Sequence, residues 1–403
     1  MSKVRVVHVA NVPFTVRFIL KNQLLALRDM GFDVGVICSP GGDLADLEGA
    51  GVPAKRVEMV RRIAPLEDLK SLWSLVRALR ELRPDIVHTH NPKSGFLGRL
   101  AARVAGVRVV VNTVHGFYFH DRSKGFARKF WVFMERVAGL CSDSLFCLSA
   151  EDEHSAIVER IISKDKVLLL GNGIDLLRFN TGLDSSSAVR AVRKEWGLSG
   201  YGQVIGFVGR LNREKGLVDL LNAFQKILTL FPDALLILIG SGQEGERDAL
   251  NVEDLADKLK VSSRVRFLGL REDMALLYSA MDLVVLPSYR EGYPRVLMEA
   301  AAMGRPSVGT NIRGCREVIE DGVTGLLVEP GDVDGLARAM VKVLKDRESA
   351  ERMGRAARAR AESLFDERKV FETIARTYKE LLSSSGKSMV LNSQFAIRNS
   401  KSL

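Results

Sequence analysis

Two carboxylates, Glu291 and Glu299, bracket the most chemically suggestive segment of the chain, Ser288-Tyr-Arg-Glu291-Gly-Tyr-Pro294-Arg-Val-Leu-Met-Glu299-Ala. It follows an apolar run, Asp282–Pro287, that reads as a buried strand. Pro294 is expected at the first position of a helix, where its missing N–H would be unpaired anyway. The free amides of Arg295, Val296 and Leu297 would then point out of the helix start and form an anion site suited to a phosphate. Helical side chains lean toward the N-terminus, so the Glu299 carboxylate is expected beside that same site. Glu291 lies in the preceding loop. Carboxylates around one phosphate-binding turn suit a ligand carrying both phosphates and hydroxyls; a capped helix with exposed acids is the plainer alternative.

A second segment, Gly206-Phe-Val-Gly209-Arg210-Leu-Asn-Arg-Glu-Lys215-Gly216, runs from a strand through a glycine-flanked loop into a helix. Two cations at a strand's carboxyl end, Arg210 and Lys215, can stabilise a diphosphate leaving group. A third, Gly240-Ser-Gly242-Gln-Glu-Gly245, fits the GxGxxG pattern of dinucleotide sites. That fingerprint wants an acidic residue at the end of the next strand, and Val265-Arg-Phe-Leu268-Gly269 has none. A tight turn lining a mononucleotide fits better than a nicotinamide-dependent dehydrogenase. Asp332-Val-Asp334 resembles a metal-binding DxD, but after Pro330-Gly331 it reads as a helix cap with a second, dipole-favoured acid.

All six histidines lie in the first half: His8, His88, His90, His115, His120 and His154. No carboxylate or cysteine spacing completes a familiar zinc site with them. His115, followed by a glycine at a strand end, suits contact with a sugar. His8 and His88 read as packed structural residues, and His90 fits either role.

These residues need a frame to hold them. Lys3–Ala10, Asp33–Ser39, Ala54–Val60, Ile86–His90, Val109–His115 and Ser144–Leu148 read as strands, with helical spacing in Phe14–Arg28, Leu66–Leu82, Ser94–Ala105 and Lys124–Gly139. Gly171–Gly202, rich in turn formers, reads as an interdomain connection. A second series follows, with strands at Gln203–Val208, Ala234–Ile239, Val265–Leu268, Leu283–Leu286, Ser307–Gly309 and Gly325–Val328. Its helices are expected at Leu217–Leu230, Gly245–Leu259, Asp273–Ala280, Pro294–Met303 and Val333–Leu344. The pattern predicts an α/β protein of two doubly wound halves, with ligands beyond the carboxyl ends of the strands.

Composition agrees. The 403 residues are 46% hydrophobic and 27% charged, within the ordinary globular range. No apolar run approaches the roughly 18 residues of a membrane span. Lys3 and Arg5 interrupt the apolar N-terminus, so no signal peptide is expected. Four scattered cysteines predict free thiols in a reducing cytosol. Of the net charge of +10, residues 1–170 hold 25 basic and 18 acidic residues, a net of +7. That asymmetry points to a polyanionic partner, or else to solubility alone. The segment Arg122–Arg136 mixes cations with Phe126, Phe130, Trp131, Phe133 and Met134. It suits either an ordinary core-facing helix or a helix beside an anionic bilayer. No nucleic-acid motif accompanies the charge, so no nucleic-acid partner is expected.

Taken together, these motifs resemble family 4 of the retaining, GT-B-fold glycosyltransferases, particularly bacterial members that build capsule, exopolysaccharide or O-antigen chains. The resemblance covers nearly the whole chain. It rests on the E-x7-E pair within PSYREGYPRVLMEA, on GRLNREKG, on the hinge-like Gly171–Asp175, and on His88–Val107 and Asn112–Asp121. It implies two Rossmann-like domains facing a cleft: an acceptor-binding domain over 1–172 and a nucleotide-sugar domain over 173–362. A helix over 363–382 would cross back onto the first domain, with a loose tail at 383–403. It implies transfer of a hexosyl or N-acetylhexosaminyl group from a nucleotide diphosphate sugar, UDP rather than GDP, with retention and with neither metal nor cofactor. Arg210 and Lys215 would hold the diphosphate. Glu299 would bind the ribose, with Gly209, Gly240 and Gly242 lining the nucleotide. Glu291 would contact the donor sugar and steady an oxocarbenium-like transition state, and His115 would bind sugar hydroxyls across the cleft. The first loop departs from the Gly-Gly turn of many members, carrying Asn11-Val-Pro-Phe-Thr15. Asn11, Thr15 and His90 are the acceptor-side candidates. The expected acceptor is a polyprenyl-diphosphate-linked saccharide, reached from the cytoplasmic side at an anionic membrane surface. A soluble acceptor and a non-catalytic sugar-nucleotide sensor are the alternatives.

Overall fold

The computed structural model describes residues 3–41, 44–60, 62–119, 125–180, 182, 186–242 and 250–384. It divides into two compact units, Met1–Gly171 with Arg368–Leu403, and Asn172–Glu367. Of the loose tail expected over 383–403, Ser383 and Ser384 belong instead to the last helix, Glu367–Ser384, and the remainder lies outside the described residues, as do His120, Arg122, Lys124 and Gly245.

The first unit is a seven-stranded parallel sheet. Its strands are β1 (Arg5–Ala10), β2 (Asp33–Cys38), β3 (Ala54–Arg56), β4 (Ile86–His90), β5 (Val109–Val114), β6 (Ser144–Cys147) and β7 (Val167–Leu169). Their order is β3-β2-β1-β4-β5-β6-β7, so the winding reverses between β1 and β4. The Val-rich runs of β1, β4 and β5 are buried almost throughout, as strands covered on both faces must be. Helix Pro65–Leu82 opens on a proline with Glu67 and Asp68 in its first turn, and stops at Arg83 with φ +46°. Leu75 and Leu79 from that helix join Leu97 and Ala101 in one layer of core. On the other side Leu24 and Leu27 meet Ile374, Tyr378 and Leu381 of the final helix, Glu367–Ser384. The last helix therefore belongs to the core of the first unit, as the resemblance implies.

A polar seam runs through this apolar core. His8 on β1 and His88 on β4 are register partners, and both are fully buried with His90. Tyr378 Oη lies 2.5 Å from His88 Nδ1, and Thr113 Oγ1 lies 2.7 Å from His88 Nε2. His90 Nε2 is 3.0 Å from His8 Nδ1, and His90 Nδ1 is 3.2 Å from His115 Nε2. His8 Nε2 is buried without a hydrogen-bond partner. The seam ties β1, β4 and β5 to the final helix, contacts that no periodicity in the sequence announces.

The second unit is a six-stranded parallel sheet of order β10-β9-β8-β11-β12-β13. The strands are β8 (Val204–Val208), β9 (Leu235–Ile239), β10 (Val265–Gly269), β11 (Leu283–Leu286), β12 (Ser307–Thr310) and β13 (Gly325–Val328). Here the order reverses between β8 and β11, and Phe207, Leu238, Val285 and Leu297 share its core.

The structure adds elements that the pattern does not predict. Helix Ser186–Glu195 lies inside the stretch read as connection, where the serine cluster reads as turn. Helix Arg347–Leu364 is so charged that only a narrow seam, Met353, Gly354, Ala357 and Ala361, is buried. Helix Ala150–Val158 and the short strand β7 are too brief for periodicity to reveal.

Burial drives the His8 imidazole down to about 3. Burial first, and neighbouring imidazoles after it, hold His88 and His90 well below the ordinary range. All three fold neutral, whereas the unfolded chain protonates them near pH 6.5. Below that pH the unfolded state binds more protons, so stability falls with pH by about 1.4 kcal/mol per unit for each histidine. The urea midpoint should therefore drop steeply between pH 6.5 and 5. His8→Asn, which keeps a partner for His90, should show a shallower slope. Equal midpoints at both pH values would contradict the assignment.

Candidate active site

The crevice outside β8 and β11 lies where the second sheet's winding reverses, the usual ligand position in such sheets. The loop after β8 closes into a single 3-10 turn, Arg213–Lys215. The buried Asn212 caps it, Oδ1 accepting from the Lys215 amide at 3.2 Å. Gly216 then takes φ +71°, and a Cβ there would lie 2.0 Å from the Pro287 carbonyl oxygen at the end of β11. Only glycine permits that approach, and it brings the two strand ends together.

The consequence is an ion pair. Lys215 Nζ lies 2.6 Å from Glu291 Oε1, with the side chains 16% and 11% exposed. The buried Ser288 donates its Oγ–H to the same oxygen at 2.7 Å. Thr310 at the end of β12 in turn donates to the Ser288 carbonyl. Glu291 is therefore fixed by neighbours from three strand ends. Removing one member of so enclosed a pair would leave an uncompensated charge.

Arg210 is brought to a different partner. Its Nη2 lies 3.1 Å from Glu214 Oε2, and the side chain is 49% exposed. Glu214 also holds Arg290, whose Nε is 2.8 Å from Oε1. Gly209 and Gly240 mark where the turns after β8 and β9 touch. The Gly209 amide donates to the Ile239 carbonyl at 2.9 Å, and a Cβ on Gly240 would sit 1.9 Å from the Gly209 oxygen. Gly242 is exposed beside Leu211, whose amide donates to the Ser241 carbonyl at 3.1 Å.

Helix Arg295–Ala302 begins one residue later than expected. Pro294, at φ −73° and ψ 107°, is the N-cap and not the first helical residue. Its carbonyl accepts the Leu297 amide at 3.2 Å, so Leu297 is not a free donor. Arg295 and Val296 remain as the first-turn amides that a helix start leaves without intrahelical partners. Glu299 lies one turn on, 15% exposed. Tyr278 Oη is 3.1 Å from its Oε2, Arg295 Nε is 3.9 Å from its Oε1, and Arg295 Nη1 donates to the Gly173 carbonyl at 3.2 Å. Burial raises the Glu299 carboxyl, against the pull of Arg295 and the tyrosine hydrogen bond. Burial also pushes the Tyr278 phenol well up, so it remains a donor.

In the first unit, Asn11 and Thr15 are buried, Asn11 Oδ1 accepting from Ser94 Oγ at 3.2 Å. The helical turns that follow Val12, Pro13–Thr15 and Val16–Leu20, expose Phe14 and Phe18, rings 4.4 Å apart, with the Arg17 guanidinium over Phe18. His115 stands just past β5, its imidazole lowered to about 4 by burial. Nitrogens of His8, His88 and His90 lie within 4.8 Å of one another, a grouping the spacing did not predict. His88 and His90 spend both ring nitrogens on the hydrogen bonds already described, so the trio reads as a hydrogen-bonded seam. Asp332 is the cap its context predicts, accepting from the Gly335 amide at 2.8 Å, while Asp334 pairs with Lys226.

Ser288, Asn212, Glu214, Arg290 and Tyr278 acquire roles that sequence reading did not assign. The first four stand inside or beside the motifs and could be found by asking what holds each charge. Tyr278 lies on another helix, Met274–Ala280, with no local signal pointing to Glu299. Chemically, the crevice offers an ammonium, two helix-start amides and two enclosed carboxylates: donors for phosphate oxygens and acceptors for hydroxyls.

Comparison with known proteins agrees in both units. Residues 16–173 match the glycosyl transferase 4-like domain model, and residues 189–360 match glycosyl transferases group 1. The chain is 32% identical over 351 residues to UDP-Gal:alpha-D-GlcNAc-diphosphoundecaprenol alpha-1,3-galactosyltransferase of Escherichia coli, covering 86% of this chain and 89% of that protein. It is 28% identical to the capsular polysaccharide biosynthesis glycosyltransferase CapM of Staphylococcus aureus, over 96% of this chain and 99% of that one. A solved structure of Anabaena HepE in complex with UDP superposes with a TM-score of 0.77 at 23% identity, covering 94% of this chain and all of that one. The WaaG glycosyltransferase superposes with a TM-score of 0.72 at 19% identity, over 92% of this chain and 99% of the other. The chain is a glycosyltransferase of the group 1, family 4-like kind, with the GT-B arrangement of two Rossmann-like domains.

Proposed function

We propose that this enzyme transfers a hexosyl or N-acetylhexosaminyl group from a UDP-sugar to a polyprenyl-diphosphate-linked saccharide, with retention of anomeric configuration, in bacterial cell-surface polysaccharide synthesis. The enclosed Lys215–Glu291 pair at the reversal point of the second sheet carries the reading. An arriving diphosphate competes with Glu291 for the ammonium, which can then neutralise the β-phosphate as the bond to the anomeric carbon breaks. Arg210 adds a second cation. Glu299 accepts hydrogen bonds from ribose hydroxyls, beside the amides of Arg295 and Val296. Glu291 faces the sugar and steadies positive charge at its anomeric carbon. The acceptor oxygen forms the new bond on the face the diphosphate leaves, and its proton passes to the departing phosphate oxygen. His115 is the candidate that the family resemblance gives for binding sugar hydroxyls. Two cations meet the charge of the leaving group, so the reading needs no metal. The acceptor proposal draws on the Escherichia coli relative, named for a substrate linked to diphosphoundecaprenol.

A membrane-surface acceptor also fits the exposed groups of the first unit. No described helix is long and apolar enough to cross a membrane. Helix Gly125–Gly139 buries Val132, Ala138 and Gly139 and turns Phe126 and Phe133 outward, 84% and 62% exposed, alongside Lys129. Arg128 and Arg136 are drawn to Glu159, and among the described residues of this helix Lys129 is an exposed cation beside those rings that could meet anionic lipid. Leu66, Leu69 and Trp73 form a second exposed apolar row on helix Pro65–Leu82.

Glu291→Gln should retain the fold and lower turnover by on the order of 100-fold, since its charge matters most as positive charge develops. Glu299→Gln should chiefly raise the donor KM. Near-normal turnover in Glu291→Gln would remove the reading. Arg210→Ala and Lys215→Ala should each cost about 2–4 kcal/mol of transition-state stabilisation, measured as kcat/KM. EDTA should leave turnover intact; loss on chelation with recovery on adding a divalent ion would overturn the metal-free mechanism. Finally, the protein should sediment with vesicles containing anionic lipid, less so as salt rises. Phe126→Ser with Lys129→Glu should reduce sedimentation without changing UDP affinity. Equal sedimentation with neutral and anionic vesicles, or none with either, would favour a soluble acceptor.

A further inference from the structure

Tyr278 is the largest buried side chain to touch either carboxylate of the motif. It lies on helix Met274–Ala280, in the connection between β10 and β11, and is fully buried. Its hydroxyl sits 3.1 Å from Glu299 Oε2 and 3.3 Å from the Val296 carbonyl. The phenol has one proton and the carboxylate is the nearer acceptor, so Glu299 takes the bond. Arg295, at 3.9 Å, pairs with the other oxygen through charge rather than through a hydrogen bond. A glutamate carries three side-chain torsions, and an enclosed carboxylate without a fixed donor can turn away from a ligand. The ring is itself fixed, its edge set against Phe179 with centroids 6.1 Å apart. Tyr278 therefore has the means to define one rotamer of Glu299 from behind, leaving Oε1 for a ligand.

We infer that Tyr278 is a positioning residue for the nucleotide ribose: it never touches the donor, but it aims the Glu299 carboxylate at the ribose hydroxyls. The inference rests on the reading of Glu299 given above. Tyr278→Phe keeps the ring and its packing and removes only the oxygen, so the fold should persist, which the melting temperature of the free protein checks.

The test is calorimetric titration of the full chain with UDP and with 2′,3′-dideoxy-UDP, for wild type, Tyr278→Phe, Glu299→Gln and the double variant. Tyr278→Phe should weaken UDP binding about tenfold, the scale of one hydrogen bond to a charged group. It should leave 2′,3′-dideoxy-UDP binding unchanged, because that ligand offers Glu299 nothing to bind. On the Glu299→Gln background it should have no further effect. If Glu299→Gln shows this ribose dependence and Tyr278→Phe weakens both ligands equally, or neither, the positioning role is wrong and the Glu299 reading stands. If Glu299→Gln weakens both ligands equally, or wild type binds neither, the reading of Glu299 fails and the inference falls with it.

Discussion

The second unit depends on one close approach, that of the Gly216 backbone to the Pro287 carbonyl. Any Cβ at residue 216 would force the loop after β8 away from the end of β11. With glycine there, Lys215 arrives from one side and Glu291 from the other; Ser288 donates to the carboxylate, and Thr310 holds the Ser288 carbonyl. A lysine and a glutamate withdrawn from water in this way are costly to separate unless something replaces the lost partner. In the proposed reaction a diphosphate would do so for the lysine, and developing positive charge on a sugar would do so for the glutamate.

The first unit uses polarity differently. Its reversal point, between β1 and β4, is filled by neutral imidazoles hydrogen-bonded into a seam that reaches Tyr378 on the final helix. This seam gives the returning helix a specific partner in a core otherwise joined by non-directional apolar contact. The reading of His8 and His88 as packed structural residues holds, but their partners could not be read from the spacing, since His8, His88 and Tyr378 are brought together only by the fold.

Alternation of Val-rich runs with helical spacing made both parallel sheets legible, because strands covered on both faces must be continuously apolar. The motif loops were legible too, because a turn that approaches a charged ligand needs glycines and cations together at a strand's carboxyl end. Helix Arg347–Leu364 was hidden because its buried seam is made of small residues, Gly354 and Ala357 among them, in a field of charge. The Pro294 cap shifted by one residue, a difference that reassigns the Leu297 amide from ligand to carbonyl. Residues that hold the catalytic candidates in place were harder to see than the candidates themselves. Tyr278 and Ser288 do their work through oxygen atoms inside the core, where sequence shows only an ordinary aromatic and a small polar residue.

A crystal structure of the protein with UDP tests the central claim most directly. The account predicts the β-phosphate within about 3 Å of Lys215 Nζ, hydrogen-bonding distance for a charged pair. It also predicts the ribose hydroxyls on Glu299, with the diphosphate over the first turn of helix Arg295–Ala302. A nucleotide bound elsewhere, with Lys215 still paired to Glu291 and Glu299 untouched, would contradict it.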